Sequence, residues 1–230
     1  MEILVPTSNR YIHCLPGFAY LFNKYWSDKR HVTVLCYDEK PENLPENFTV
    51  LQLGKQNEFT WSSGLAAGIN LVVTGPFVLM LEDYFLDRPV NSNSIDMLYK
   101  HIEETERVVK IDLTKDRLKA PHIPYSAIPD GILSDYNSLY QASTQAAIWK
   151  KEFILKFFDP TEGPWEWEKS GTRRIIRARC EGWKGDILGT TSPPMHYINA
   201  IGGEGNHPYK WAKNRFPNQL WEELKEKEFV

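Results

Sequence analysis

The sequence predicts an α/β fold, a mixed and mostly parallel β-sheet flanked by helices, and three observations lead there. Residues 3–5, 31–36, 48–53 and 77–81 are short β-branched or continuous apolar runs, each bounded by Pro, Gly, Asn or Asp, as strands buried on both faces are. Residues 15–26, 61–73 and 94–107 carry apolar side chains at helical spacing and interleave with those runs or follow them. Alternation of this kind sets successive strands side by side in one direction, with helices packed on both faces of the sheet.

Past residues 108–112 the rhythm changes. Pro121, Pro124 and Pro129 mark an irregular loop before an apolar pattern resumes over residues 139–149. Antiparallel additions and lone helices are expected in this second half. Residues 150–158 form an amphipathic helix pattern, and Pro164 suits the first position of another, where a missing N–H costs nothing. The pattern weakens after Gly182 until residues 219–228, which predict a charged terminal helix. There is no repeat, low-complexity tract or linker, so one domain spanning 1–230 is expected, with functional halves at about 1–115 and 116–230.

At 230 residues the chain is long enough to bury a large core without disulfides or a structural metal. A formal net charge of -3 with interspersed signs gives no broad attraction for nucleic acid or an anionic membrane. Cys14, Cys36 and Cys180 are odd in number and far apart, which fits reduced, mostly buried thiols rather than disulfides or a thiolate zinc site. The start at Met1 has no basic flank or signal-length apolar run, and no later stretch has the length to cross a bilayer; a cytoplasmic location is expected. Eight tryptophans serve mostly as core and shell, with stacking on sugars or nucleobases as their other use.

Three segments carry side chains suited to chemistry. In the first, residues 79–85, a strand runs into Glu82, Asp83 and Tyr84. Acids beyond the carboxyl end of a strand are well sited to hold a ribose hydroxyl, a divalent metal or a diphosphate through that metal, and strand alternation sends Asp83 opposite to Glu82 and Tyr84. The other reading is a solvated strand end. In the second, residues 163–168, two acids and two indoles open a helix, whose dipole keeps a carboxylate ionised as a general base requires. Helical spacing pairs Trp165 with Glu168 on one face, a stacking wall beside a base, and sends Glu166 elsewhere. The alternative is an ordinary acidic first turn with core tryptophans. In the third, residues 141–149, small side chains let a ligand approach the backbone and Gln145 offers both ends of an amide, unless the run only permits close packing.

His207 stands in a glycine-rich stretch that does not fit GxGxxG; it is either a metal or diphosphate contact or a solvated loop histidine. Arg173, Arg174, Arg177 and Arg179 cluster, facing either an anionic ligand or solvent. The absence of a GxSxG elbow, an HExxH pair and a Walker loop removes serine hydrolase, zincin and P-loop readings.

Taken in order, residues 6–10, 78–85, 145–149 and 164–168 resemble the GT-A type glycosyltransferases, particularly small bacterial and viral enzymes of polysaccharide assembly, over roughly residues 1 to 175. The resemblance implies a Rossmann-like nucleotide-sugar half and an acceptor-binding half. It implicates Thr7, Ser8, Asn9 and Arg10 in contacts to the nucleoside, and Asp38 in contacts to base or ribose. The family's Asp-x-Asp motif, whose last acid binds Mn²⁺ or Mg²⁺, reads Glu82-Asp83-Tyr84 here; a tyrosine replaces that acid and leaves Asp83, with His207 as a second ligand, as the metal candidate. Glu168 resembles the catalytic base of inverting members, with Gln145, Trp165 and Glu166 on the sugar and acceptor side. The implied reaction moves a sugar from a nucleotide-sugar donor to a glycan or other hydroxyl acceptor with inversion. Two rivals are a nucleotidyltransferase, which would want a Gly-rich, Lys-bearing loop where residues 6–11 have neither, and a non-catalytic carbohydrate-binding protein.

Overall fold

The computed structural model describes residues 1–201 and 209–230. Among these residues nine strands form one sheet. Its first strands are β1 (Glu2–Pro6), β2 (Val32–Cys36), β3 (Phe48–Gln52) and β4 (Phe77–Leu79), all parallel. A second, two-stranded ribbon pairs β5 (Tyr84–Leu86) with β11 (Tyr197–Asn199) in antiparallel fashion. The remaining strands are β6 (Val108–Asp112), β7 (His122–Pro124), β8 (Gly131–Ser134), β9 (Ala147–Trp149) and β10 (Asp186–Thr190). Only β9 and β8 run against the others, β9 lying between β4 and β6 and β8 between β10 and β7. The sheet is therefore mixed and mostly parallel, as the alternation predicts.

Side-chain alternation along these strands feeds two cores. Ile3, Val5, Val78 and Ile148 point to one side, where α1 (Leu15–Tyr25), α3 (Ser92–Glu104) and the terminal α7 (Asn218–Glu226) supply Phe18, Phe22, Ile95, Leu98 and Leu220. Leu4, Phe77, Leu79 and Trp149 point to the other, against Leu65 and Ile69 of α2 (Trp61–Val72) and Phe153 and Ile154 of α4 (Lys151–Phe157). Helix α2 lies close to β2 because Gly64 and Gly68 face the sheet: a Cβ at Gly68 would fall 2.2 Å from Leu35. Its N-terminus is fixed by a capping box between Thr60 and Ser63.

Four departures from the sequence pattern have physical reasons. The run at 77–81 is a strand only to Leu79; the chain turns at residues 82–83, so strand alternation does not govern Glu82 and Asp83. Strand β3 is not buried on both faces, because it is the edge of the sheet and only its Phe48 is buried. The proline-rich loop contains β7, and Pro124 is tolerated there because β7 is the opposite edge, where a missing N–H breaks no ladder. Residues 139–149 form a strand only from Ala147 onward.

After α4 the chain enters a helix that opens at α5 (Pro164–Glu166), widens into a π-helical turn at Trp167–Gly171 and continues as α6 (Thr172–Cys180). Pro164 occupies its first position, as its missing N–H suggests. The π-turn inserts an extra residue into the ladder, a device frequent at functional sites.

Candidate active site

The order β3-β2-β1-β4 reverses the direction of strand addition beside β1, and open α/β sheets bind ligands outside the carboxyl ends of strands at such a switch point. A cleft of about 460 Å³ lies there. Pro6, Thr7 and Ser8 reach it from the end of β1, Tyr37 from β2, Leu81 to Asp83 from the turn after β4, and Tyr84 from the start of β5. Gln56, Phe59 and Trp61 line it ahead of and within α2, and Pro164, Trp165 and Glu168 form the wall on the helix with the π-turn. Because β9 is antiparallel, with Ala147 opposite Leu79, the turn preceding it delivers Thr144 and Gln145 to the same end of the sheet.

Glu82 is buried and accepts a hydrogen bond from Thr7 Oγ1 at 3.3 Å. Burial, and then the Asp83 charge, push its carboxyl well above the usual carboxylate range. Asp83 is also pushed up by burial, opposed by backbone N–H groups including that of Ile201. The backbone carbonyl of Asp83 accepts from Ala200 at 2.7 Å, which fastens the turn to the segment after β11. Both acids line the cleft, and carboxylate oxygens are the kind of ligand that a hard divalent cation takes. Among the described residues no group of three His, Cys, Asp or Glu gathers to hold a metal. His207 lies outside the described residues.

Tyr84 lines the cleft but does not extend the acid pair. Its ring is buried and stacks on Tyr197 with centroids 4.1 Å apart and planes 10° apart, and its hydroxyl donates to the Thr144 carbonyl at 3.1 Å. Gln145 lines the cleft with its Oε1 accepting from Tyr197.

Glu168 faces Thr144, which donates to Oε1 twice, from its backbone N–H at 2.8 Å and from its hydroxyl at 2.7 Å. Among the described residues Oε2 has no hydrogen-bond partner, so Thr144 holds one oxygen of the carboxylate and not the other. The Thr172 hydroxyl donates to the Glu168 carbonyl and accepts from the Ala142 N–H at 3.1 Å, clamping the π-turn to the same loop. Trp165, 72% exposed, stands at the rim beside Glu168. Glu166 does not line the cleft; its Oε2 accepts from the Gly163 N–H at 2.8 Å and closes the first turn of the helix.

The remaining expected contacts divide. Thr7 and Ser8 line the cleft, whereas Asn9 and Asp38 line a shallower recess that shares Gln56 and Phe59 with it. Asp38 accepts from the Gln56 N–H and the Asn9 amide, which hold its carboxyl below the usual range. Arg10, carried outward on the 3-10 turn Asn9–Cys14, lies over the Tyr11 ring and lines neither. None of the four clustered arginines lines the cleft: Arg174 pairs with Glu162, Arg177 with Glu181, and Arg179 donates to the Gly185 carbonyl.

Thr144, Tyr197, Tyr37 and Phe59 were not legible as site residues. Tyr37 had a signal, since it directly follows the strand ending at Cys36. Thr144 and Tyr197 had none, because their roles come from contacts with residues far away in the chain.

No family model matches the sequence, and no curated protein matches it. Solved structures match the fold. A mannosyltransferase from Pyrobaculum calidifontis, solved in complex with GDP-Man and Mn²⁺, superposes with a TM-score of 0.54 at 13% identity. The match covers 89% of this chain and 57% of that one. A cytidylyltransferase from Leptospira borgpetersenii superposes with a TM-score of 0.51 at 11% identity, over 99% of this chain and 94% of that one. The chain thus shares the fold of these two transferases. No helix among the described residues is long and apolar enough to cross a membrane.

Proposed function

We propose that the chain is a nucleotide-sugar-dependent glycosyltransferase of the GT-A type that inverts configuration, with Glu168 as general base. One observation carries this reading: Glu168, with one carboxylate oxygen held by Thr144, lines the same cleft as the acid pair that follows β4. In this reading residues 1–115 bind the donor, through Thr7, Ser8, Asp83 and the recess at Asn9 and Asp38, and residues 116–230 present the acceptor. Trp165 stacks on a sugar at the rim.

The acceptor hydroxyl approaches the anomeric carbon from the side of Glu168. As the new C–O bond forms, the bond from that carbon to the diphosphate breaks, its electron pair leaves on the nucleoside diphosphate, and the hydroxyl proton passes to Glu168. Asp83, with Glu82 behind it, would hold a divalent cation such as Mn²⁺ or Mg²⁺, which when bound offsets the charge of the diphosphate. The free thiols Cys14, Cys36 and Cys180 accord with a cytoplasmic setting.

Nucleotidyl transfer is the second reading, favoured by the match over nearly the whole length of the cytidylyltransferase. It is weakened by the segment at residues 6–11, which has neither glycine nor lysine to hold a triphosphate.

A thermal-shift panel of UDP-, GDP-, CMP- and dTDP-linked sugars, with and without Mn²⁺, tests the donor, because bound ligand raises the melting temperature by mass action. The expected result is a shift with one nucleotide class, lost in Asp83→Ala. Incubation with acceptor sugars then releases nucleoside diphosphate in glycosyl transfer, or CMP from a CMP-sugar, whereas a nucleotidyltransferase releases pyrophosphate from a nucleoside triphosphate and a sugar phosphate. Binding of glycans without any nucleotide would overturn both.

A further inference from the structure

The turn that carries Thr144 and Gln145 is gripped from behind by two tyrosines. Tyr84 belongs to β5 and Tyr197 to β11, the two strands of the small ribbon, and their rings stack nearly parallel. Tyr84 donates to the carbonyl of Thr144 at 3.1 Å. Tyr197 donates to Gln145 Oε1 and accepts from the Ala146 N–H at 3.4 Å. Three consecutive residues are thus fixed by two phenols, and the first of them, Thr144, aims both its donors at Glu168.

We propose that Tyr84 and Tyr197 are a positioning pair for the Glu168 carboxylate, acting through Thr144; this rests on the reading of Glu168 as the base. The geometry requires such a support. A threonine in an irregular turn has freedom in both its backbone and its χ1 angle, and two donors converging on one oxygen need both fixed. The stack sets the plane of each ring, and the hydroxyl at its edge then has a single direction in which to bond. Burial pushes both phenols far above their ordinary range, so they remain protonated donors. From the opposite side, the buried Lys110 donates to the Ser143 carbonyl at 2.9 Å and pairs with the buried Asp112. Arg117 bonds Asp112 and donates to the Tyr140 carbonyl at 2.9 Å. The loop therefore has a rigid base, and the tyrosines set its last step, the one that meets Glu168.

The consequence for catalysis is specific. With Oε1 engaged by two donors, proton uptake falls to Oε2, the oxygen without a hydrogen-bond partner among the described residues. Loosening Thr144 lets the carboxylate rotate and misdirects that oxygen without altering the donor contacts at the end of β1.

Tyr84→Phe deletes one hydroxyl and keeps the ring in its stack, and Thr144→Val deletes the hydroxyl that meets Glu168. With the nucleotide sugar turned over among UDP-glucose, GDP-mannose and the CMP- and dTDP-sugars, each variant is expected to lower kcat about ten-fold, part of the contribution of a general base. Donor KM should stay within about two-fold of wild type, and the acidic limb of the kcat–pH profile should be displaced in both variants. The double variant should lose less than the product of the two single losses, since both changes act on the hold of one carboxylate oxygen.

A readout without turnover is the ¹⁵N-resolved amide of Thr144. In the wild type it should follow the ionisation of Glu168, and in Tyr84→Phe that dependence should shrink. An unchanged kcat with an unchanged amide titration in Tyr84→Phe would overturn the proposal. A raised donor KM with unchanged kcat would also overturn it, by moving Tyr84 into the donor site. The parent reading is tested separately: Glu168→Gln at the wild-type rate removes the base and the pair together, whereas an inactive Glu168→Gln beside an unaffected Tyr84→Phe removes the pair alone.

Discussion

Arg174 holds Glu162 fork to fork, Nη1 to Oε1 at 2.7 Å and Nη2 to Oε2 at 2.6 Å. The backbone carbonyl of Glu162 accepts from the Ser62 N–H at 3.1 Å, so this one residue joins the helix carrying Glu168 to the first turn of α2. The two walls of the cleft are thereby tied at their base. An arginine that composition alone could assign to an anionic ligand is instead consumed by structure.

Arg174→Lys keeps the charge but cannot make two parallel bonds to one carboxylate. A loss of about 1 kcal/mol is expected, modest because Arg174 is partly exposed. Urea unfolding should show a lower midpoint with an unchanged slope.

Glu168→Gln preserves size and hydrogen-bonding capacity while removing the basic oxygen. The transfer rate should fall at least about 100-fold, within the range of a lost general base, while nucleotide-sugar binding measured by calorimetry stays at its wild-type value. Transfer at the wild-type rate in a folded variant would remove the base from the mechanism.

Gly64 lets α2 approach Tyr37, and a Cβ there would fall 2.0 Å from the Tyr37 hydroxyl. Gly64→Ala must therefore displace a side chain that lines the cleft. Nucleotide-sugar affinity is expected to drop about ten-fold, at the low end of the ~1–3 kcal/mol that overpacking costs. Calorimetric titration of the variant checks this.

Asp87 follows β5 and, with its side chain only 4% exposed, accepts from Arg88 and from His196 Nδ1 at 2.7 Å. Burial raises its pKa, but the bonds from Arg88 and His196 outweigh burial and hold it below the ordinary carboxylate value. Between the depressed value and the ordinary one the unfolded chain binds more protons than the folded protein, so stability rises with pH across that window. The contribution is complete above the ordinary carboxylate range and is lost as pH falls through the depressed value. Asp87→Asn should cost about 1–3 kcal/mol at neutral pH, with the gap to wild type closing in acid, as followed by denaturation at a series of pH values.

Elements whose physics is local were legible in the chain. The apolar runs at residues 3–5, 31–36 and 77–81 marked the strands that build the cleft, and Pro164 marked the start of the helix beyond it. Trp165 and Glu168 were paired from helical spacing, and both line the cleft even though a π-turn begins between them. What was not legible depends on partners far apart in sequence. Tyr84 meets Thr144 and Tyr197 across 60 and more residues, and β11, at three residues, is too short to announce itself. Glu166 shows the limit of residue type as evidence: an acid three residues after Gly163 serves the helix terminus before any ligand.

The place of β9 between β4 and β6 has a bearing on synthesis. During translation β4 emerges with its open edge waiting for residues 147–149, and β6 waits for the same strand on one side and for β10 on the other. Until about two thirds of the chain has left the ribosome, the edges of β4 and β6 that β9 will join stand unpaired, the state in which nascent chains recruit holdases or one another. A cut near residue 115 would make that state permanent, since it parts β4 and β6 from the strand that joins them.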